Sequence, residues 1–254
     1  FRTAHQDHVR VAKNDFLKAL ALNSRDEKAC YNLGNCHLDE GRIDEAAAMF
    51  LRATVLNPRF GEARGSLGYC LLLENRSDEA IRELQLALDC GYESPSVHLN
   101  LSSAYLKKGQ FGLAGAEAKK AISLDPSSSL ARNNLGVVYT QKGMIEEAIG
   151  EFRTSLGLDP GNKEALVNLG NLYLGRGELE SALDLYIQVL ALDPSAAVVH
   201  NNVAVIYFKK GDYAKSWEHA QRAESLGLKP HPDFLKELKK KLSFTGWGCR
   251  HLRF

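Results

Sequence analysis

The sequence predicts an all-α fold, a solenoid of stacked antiparallel helix pairs, and two observations carry that prediction. The first is a pattern that returns six times at an unbroken spacing of 34 residues. Leucine or valine stands at Leu33, Leu67, Leu101, Leu135, Leu169 and Val203, followed each time by a small residue: Gly34, Gly68, Ser102, Gly136, Gly170 and Ala204. A period of this length marks arrays in which a single repeat cannot bury its apolar face alone. The second is the punctuation inside the period. With the repeats counted from Glu27, Gly61, Pro95, Ser129, Lys163 and Ala197, position 15 reads Gly41, Asn75, Gly109, Gly143, Gly177 and Gly211. Helices commonly end in a left-handed residue, which glycine adopts without strain and asparagine tolerates best among the others.

Residues 1–26 fit the same frame as the second half of an earlier repeat, with Val9, Ala12, Phe16 and Ala19 at positions 17, 20, 24 and 27. The front half of that repeat and an initiating methionine are missing, so the expectation is a true start further upstream. Six full repeats follow, at 27–60, 61–94, 95–128, 129–162, 163–196 and 197–230. In each, a first helix runs to the position-15 turn and a second helix returns. Small residues at position 20 (Ala46, Ala80, Ala114, Ala148, Ala182, Ser216) and position 27 (Ala53, Ala87, Ala121, Ser155, Val189, Ala223) let the two helices approach closely. Leucine, tyrosine and phenylalanine at positions 7, 11 and 24 fill the space between them. Position 32 is proline in four repeats (Pro58, Pro126, Pro160, Pro194), which stops the second helix. Tyr92 and Leu228 replace it in repeats two and six, the latter with a delayed Pro230.

Repeat three carries Gly112 and Gly115 inside its second helix, each costing about 1 kcal/mol against alanine. Either that repeat is soft or its glycines sit under a close neighbour. Residues 231–242 read as a C-terminal capping helix with Phe234, Leu235, Leu238 and Leu242 on one side and lysines on the other. Residues 243–254 show no period and are expected to form a flexible tail; their Phe244, Trp247, Arg250 and Arg253 suit a linear motif or a neighbour's groove. The total is fourteen or so helices and no strands.

Leu-Gly at positions 7 and 8, Tyr at 11, Gly at 15, Ala at 20, an aromatic at 24, Ala at 27 and Pro at 32 together resemble the tetratricopeptide repeat, from Glu27 to Pro230. The resemblance implies a right-handed superhelix whose first helices line a concave groove, with positions 2, 5, 6, 9, 12 and 13 facing it. Position 6 is Asn32, Ser66, Asn100, Asn134, Asn168 and Asn202. A carboxamide offers an acceptor and two donors, so such a ladder can hold the backbone of an extended peptide without reading its sequence. It is similar to the ladder in the superhelix of O-linked N-acetylglucosamine transferase. The alternative is that these asparagines serve helix–helix hydrogen bonds. Asn35 and Asn171 at position 9 extend the track, and Leu72, Leu106, Leu174 and Phe208 at position 12 add apolar contact. The carboxylate clamp of co-chaperone members is absent: position 5 is never lysine and position 6 never arginine.

Lys+Arg 32 against Asp+Glu 31 gives a net charge of +1, with no bulk pull toward nucleic acid. No stretch reaches the length of a membrane span. Cys30, Cys36, Cys70 and Cys90 suit small packing positions, and Cys249 has no companion ligand beyond His251. Unpaired thiols favour a reducing compartment, so a cytoplasmic location is expected. His98 and His200 at position 4 read as partly buried packing residues, His37 replaces a core tyrosine at position 11, and His5 and His8 lie near the start. No catalytic triad, phosphate loop or metal-ligand spacing occurs, so no cofactor or metal is called for. Carboxylate pairs such as Glu146 and Glu147 suit the dipole at a helix start. The expectation is a non-catalytic scaffold or adaptor that binds a partner protein's extended or helical segment. The alternatives are a substrate-targeting arm of a larger enzyme, such as a protein glycosyltransferase, and a self-assembling structural protein; homo-oligomer formation stays open.

Overall fold

The computed structural model describes residues 2–244, with side chains for 9–243. Fourteen α-helices and no strands occur among the described residues. The helices are α1 (Arg2–Leu22), α2 (Glu27–Asp39), α3 (Ile43–Leu56), α4 (Gly61–Leu73), α5 (Ser77–Asp89), α6 (Pro95–Lys107), α7 (Phe111–Leu124) and α8 (Ser129–Gln141), then α9 (Ile145–Leu158), α10 (Lys163–Gly175), α11 (Leu179–Leu192), α12 (Ala197–Lys209), α13 (Tyr213–Ser225) and α14 (Pro232–Phe244). The expected tail lies outside the described residues from 245 onward. Two compact parts divide the chain, Phe1–Lys142 and Gly143–Phe254, so the boundary falls at the turn inside repeat four. Each part is an all-α solenoid of helix pairs packed side by side.

Every helix pair turns at a left-handed residue at position 15. Gly41, Gly109, Gly143, Gly177 and Gly211 have φ between 69° and 80°, and Asn75, at φ 60°, is the one non-glycine residue with positive φ among those described. Asn57, Asp125, Asp159 and Asp193 close the second helices that precede a proline, each accepting from the backbone N–H two residues on, at 2.9–3.1 Å. This side-chain turn mimics a backbone turn and seats the proline in an extended exit. Where proline is absent the helix ends differently. Helices α5 and α13 stop at Gly91 (φ 82°) and Gly227 (φ 91°), whose following residues Tyr92 and Leu228 donate back to Ala87 and Ala223 at 3.0 Å. That is a glycine-terminated cap replacing a proline-terminated one.

The packing inside the pairs of repeats one, two and five is set by steric complementarity between positions 8 and 24. A Cβ on Gly34 would lie 2.6 Å from the Phe50 ring, one on Gly68 2.6 Å from Leu84, and one on Gly170 2.7 Å from the Tyr186 ring. Phe50, Leu84 and Tyr186 are each fully buried. Where position 8 carries more bulk, as Ser102 or Ala204, position 24 shrinks to Ala118 or Ala220. The N-terminal part joins these contacts into one apolar cluster from Phe50 through Leu84 and Leu101 to Val138. In the C-terminal part, Leu238 and Leu242 of α14 bury fully against Ala204, Trp217 and Ala220.

The two unusual glycines of repeat three divide between the two readings. Gly115 lies under Val138, where a Cβ would meet its Cγ1 at 3.1 Å, whereas Gly112 faces open space. Position 18, which Gly112 occupies, works across repeats from repeats two, four and five. Asp78 pairs with Lys108, Glu146 with Arg176 at 2.5 Å, and Glu180 with Lys210 at 2.7 Å, always to position 14 of the next repeat. The carboxylate at a second-helix start thus does more than complement the helix dipole. Lys142 holds position 14 opposite Gly112 and finds no carboxylate there.

Two substitutions test this packing in opposite directions. Gly170→Ala drives a methyl into the Tyr186 ring and is expected to destabilise by about 1–3 kcal/mol. Gly112→Glu replaces a helical glycine in open space and supplies the missing carboxylate, and is expected to stabilise by about 1 kcal/mol. Thermal denaturation followed by circular dichroism checks both; a fall for the second or no change for the first would contradict the account.

Candidate functional site

First helices form one surface of the N-terminal part. In the N-terminal part α4 touches α6 and α6 touches α8, while the second helices α3, α5 and α7 make no comparable contact with one another, so the stack closes on its first-helix side. Four first helices are capped by a side chain: Asp26, Ser94, Ser128 and Asn162 each accept from the backbone N–H three residues on, at 2.8–3.4 Å. This fixes the start, and so the facing, of α2, α6, α8 and α10.

The asparagines of positions 6 and 9 fall into two chemical roles. Asn134, only 8 % exposed, donates through Nδ2 to Ser103 Oγ at 2.9 Å and to Ser102 Oγ at 3.4 Å, both on α6. Asn202, at the same position of repeat six in the C-terminal part, does likewise, donating to Asn171 Oδ1 at 3.1 Å and Tyr186 Oη at 3.2 Å. The Tyr186 hydroxyl in turn donates to Asn171 Oδ1 at 2.6 Å. Burial pushes the Tyr186 phenol up to about 12, with the Asn202 donor acting in the opposite direction, so it remains a hydroxyl donor. These amides join position 6 of one repeat to position 9 of the repeat before, which is the helix–helix role foreseen as the alternative to a peptide ladder. Each amide has a second polar group. Asn134 and Asn202 retain Oδ1, Asn171 is exposed and retains Nδ2, and Asn100 is half-buried with neither group engaged among the described residues.

The remaining candidates differ in exposure. Asn32, Asn35 and Asn168 are half-buried on α2 and α10. Leu106 and Leu174 are also half-buried, but Leu72 is 6 % exposed and belongs to the apolar core of the N-terminal part. Phe208 packs edge-on against Phe234 of α14, ring centroids 5.5 Å apart, and so sits where the capping helix begins to cover α12. Between α2, α4 and α6 the inner face opens into a cavity of about 300 Å³. Its shape comes from Gly65 at position 5, and sequence reasoning missed it. The Tyr92 ring lies over Gly65, 3.2 Å from where a Cβ would be, and its Cβ lies 2.3 Å from the corresponding point on Gly61. The signal was present as three departures in one repeat: two glycines on α4 and a tyrosine in place of proline.

The position-4 histidines are more deeply buried than expected. His98, 1 % exposed, lies between Glu117 Oε2 at 2.6 Å and Glu93 Oε1 at 3.3 Å. His200, 9 % exposed, donates from Nε2 to the Pro194 carbonyl at 3.1 Å. Its Nδ1 therefore accepts from Nδ1–H of His219, 3.0 Å away, in the neutral tautomer. His219 stacks on Tyr207, over whose ring Lys215 lies. Burial, and then His200, hold the His219 pKa below the ordinary histidine value. Burial also raises the thiols of Cys30, Cys36 and Cys70, the last to about 12, which keeps them protonated and unreactive. Among the described residues no group of three or more His, Cys, Asp or Glu side chains is placed to hold a metal ion, and no helix is long and apolar enough to cross a membrane. His5, His8, Phe244, Trp247, Cys249, Arg250, His251 and Arg253 lie outside the described side chains.

Family models described as tetratricopeptide repeat match residues 5–58, 31–95 and 99–163, and a further repeat model of the same kind matches 170–211. No curated protein matches the sequence. Among solved structures, a chain of the APC/C hetero-tetramer Cut9–Hcn1 is similar with a TM-score of 0.81 at 22 % identity; the match covers 94 % of this chain but 47 % of that one. PilF of Pseudomonas aeruginosa matches with a TM-score of 0.71 at 19 % identity over 86 % of this chain and all of its own. YrrB, described as having an unusual peptide-binding site, matches with a TM-score of 0.56 at 24 % identity over 72 % of this chain and 95 % of its own.

Two measurements follow from the polar geometry. Asn134→Ala and Asn202→Ala each remove an inter-repeat hydrogen bond and are expected to cost about 1 kcal/mol, read as a fall in denaturation midpoint. A histidine whose pKa is lowered by folding stabilises the neutral form, so its contribution is present above the ordinary histidine pKa and is lost as pH falls below it. Melting temperature is therefore expected to drop between about pH 7 and pH 5, and to drop less in His219→Gln, which still donates to His200. An equal drop in both proteins would remove the histidine pair as the cause.

Proposed function

Because the chain belongs to the tetratricopeptide-repeat family, whose fold serves as a protein-interaction scaffold, we propose that it is a non-catalytic adaptor that holds an extended segment of a partner protein on its first-helix face. The observation that carries this reading is the set of amide groups left over after the inter-repeat hydrogen bonds are made. Asn134 and Asn202 are oriented by their Nδ2 bonds to the preceding repeat, which leaves Oδ1 as an acceptor for a peptide N–H. Asn171 has its Oδ1 taken twice and leaves Nδ2 for a peptide carbonyl. Asn100 offers both. A segment with its backbone extended presents N–H and C=O groups alternately along each edge, which the amides of either part match without specifying side chains. Preorientation by the scaffold lowers the ordering cost of binding. Asn32 and Asn35 add carboxamides on α2, and Leu106 and Leu174 supply apolar contact, each within its own part. A cytoplasmic site of action accompanies this reading.

Asn100→Ala with Asn171→Ala tests the proposal; the second change also removes the acceptor of the Asn202 and Tyr186 bonds, so its cost in denaturation midpoint is measured alongside and compared with that of Asn202→Ala. Peptides selected by phage display on the intact chain are expected to bind this double variant about tenfold more weakly by titration calorimetry, at an unchanged circular dichroism spectrum. Unchanged affinity would place binding elsewhere on the molecule.

A further inference from the structure

The cavity between α2, α4 and α6 adds a side-chain preference to the backbone track, and the inference below rests on the groove reading just given. Its base is Gly65 with the Tyr92 ring lying over it, and Leu38 and Leu99 form apolar walls. Glu62, Ser66 and Tyr69 succeed one another at four- and three-residue steps along α4, and so share one side of that helix. Tyr69 is 39 % exposed and Glu62 is exposed. Glu62 is the only charged residue lining the cavity, and it makes no ion pair or side-chain hydrogen bond among the described residues. Two cations on α4 and α6 are engaged elsewhere. Arg64 pairs with Glu83 at 2.7 Å, and Lys107 donates to Leu72 O at 3.0 Å and Asn75 Oδ1 at 2.9 Å. Lys28, at the equivalent position of α2, forms no pair with Glu62. A second cavity, of about 390 Å³, between α3 and α5 shows the contrast: there Arg76 is already held by Glu74 and Glu79 at 2.8 and 2.7 Å, and Glu83 by Arg64.

We infer that this inner cavity receives one arginine side chain of the bound segment. Three features select it. An unpaired carboxylate at the rim attracts a cation and rejects acidic residues. Phenol rings favour a planar, weakly hydrated guanidinium, which stacks, over an ammonium, which must give up a tighter water shell. Oxygen acceptors on Ser66 and Asn100 accept N–H groups beyond those taken by Glu62, as a five-donor fork requires. The aliphatic part of arginine lies along Leu38 and Leu99.

The test uses the full chain, isotope-labelled, with four acetylated and amidated pentapeptides, Ala-Ala-Xaa-Ala-Ala, in which Xaa is arginine, citrulline, lysine or leucine. The arginine peptide is expected to give saturable amide shifts at Gly65, Tyr69 and Tyr92. Citrulline, which keeps the shape and loses the charge, is expected to bind about fivefold more weakly. Glu62→Gln is expected to reduce arginine to the citrulline level, and Tyr69→Ala to weaken it further; both positions are on the surface, and unchanged spectra away from the cavity verify folding. Arginine binding that is indifferent to Glu62→Gln, lysine or leucine binding as well as arginine, or no shift at Gly65 with the arginine peptide would each overturn the assignment. Display-selected peptides that depend on Asn100 and Asn171 but carry no arginine would remove this cavity assignment and leave the groove reading standing, so the two failures are distinguishable.

Discussion

The close approach of paired helices within a repeat is the constraint on which the rest of each part depends. It exists because position 8 has no side chain where position 24 has a large one: Gly34 under Phe50, Gly68 under Leu84, Gly170 under Tyr186. Interiors are packed to crystal-like density, so a single methyl at such a contact must displace a ring or a branched side chain. The exchange is reciprocal, since Ser102 and Ala204 stand in repeats whose position 24 is alanine. Volume is conserved across the pair rather than at either site. The inner face inherits its spacing from this contact, because each first helix is held at a distance set by the second helix behind it.

Polar groups then join one repeat to the next. The Asn134–Ser103 and Asn202–Asn171 bonds lie on the first-helix side, and the pairs from position 18 to position 14 run between second-helix starts and the following turn. Surface ion pairs contribute little singly, so the amide bonds carry more of the coupling and also orient the groups left for a ligand. Stability and recognition therefore share residues here. Tyr186 shows this most directly: its ring fills the space over Gly170, while its hydroxyl positions Asn171 and Asn202.

The departures from the repeat are informative in the same physical terms. Losing proline at position 32 of repeat two does not loosen the turn, because Gly91 caps α5 in its place. The tyrosine that follows lies over Gly61 and Gly65, and the missing side chain at Gly65 is what opens the inner face beside Glu62. In repeat six, Gly227 performs the same termination. The two position-4 histidines occupy equivalent places with opposite surroundings, His98 between two carboxylates and His200 between a carbonyl and His219.

The sequence by itself determined the helix pairs, their turns and their ends. Those depend on short-range steric and dihedral rules, and their recurrence makes the period legible: glycine or asparagine at a left-handed turn in all six repeats, proline after a helix in four, alanine at the position-20 contact in five. It also placed the asparagines of position 6 on one helix face. Tertiary structure alone decided which hydrogen-bonding groups those amides keep, since that turns on atoms about 3 Å apart in residues roughly 30 positions distant. Leu72 joined the core and Phe208 met the capping helix for the same reason: exposure at a groove position depends on what the neighbouring repeat presents. The cavity beside Glu62 needed three departures to coincide in space, and no pattern along the chain says that Tyr92 folds back over Gly65.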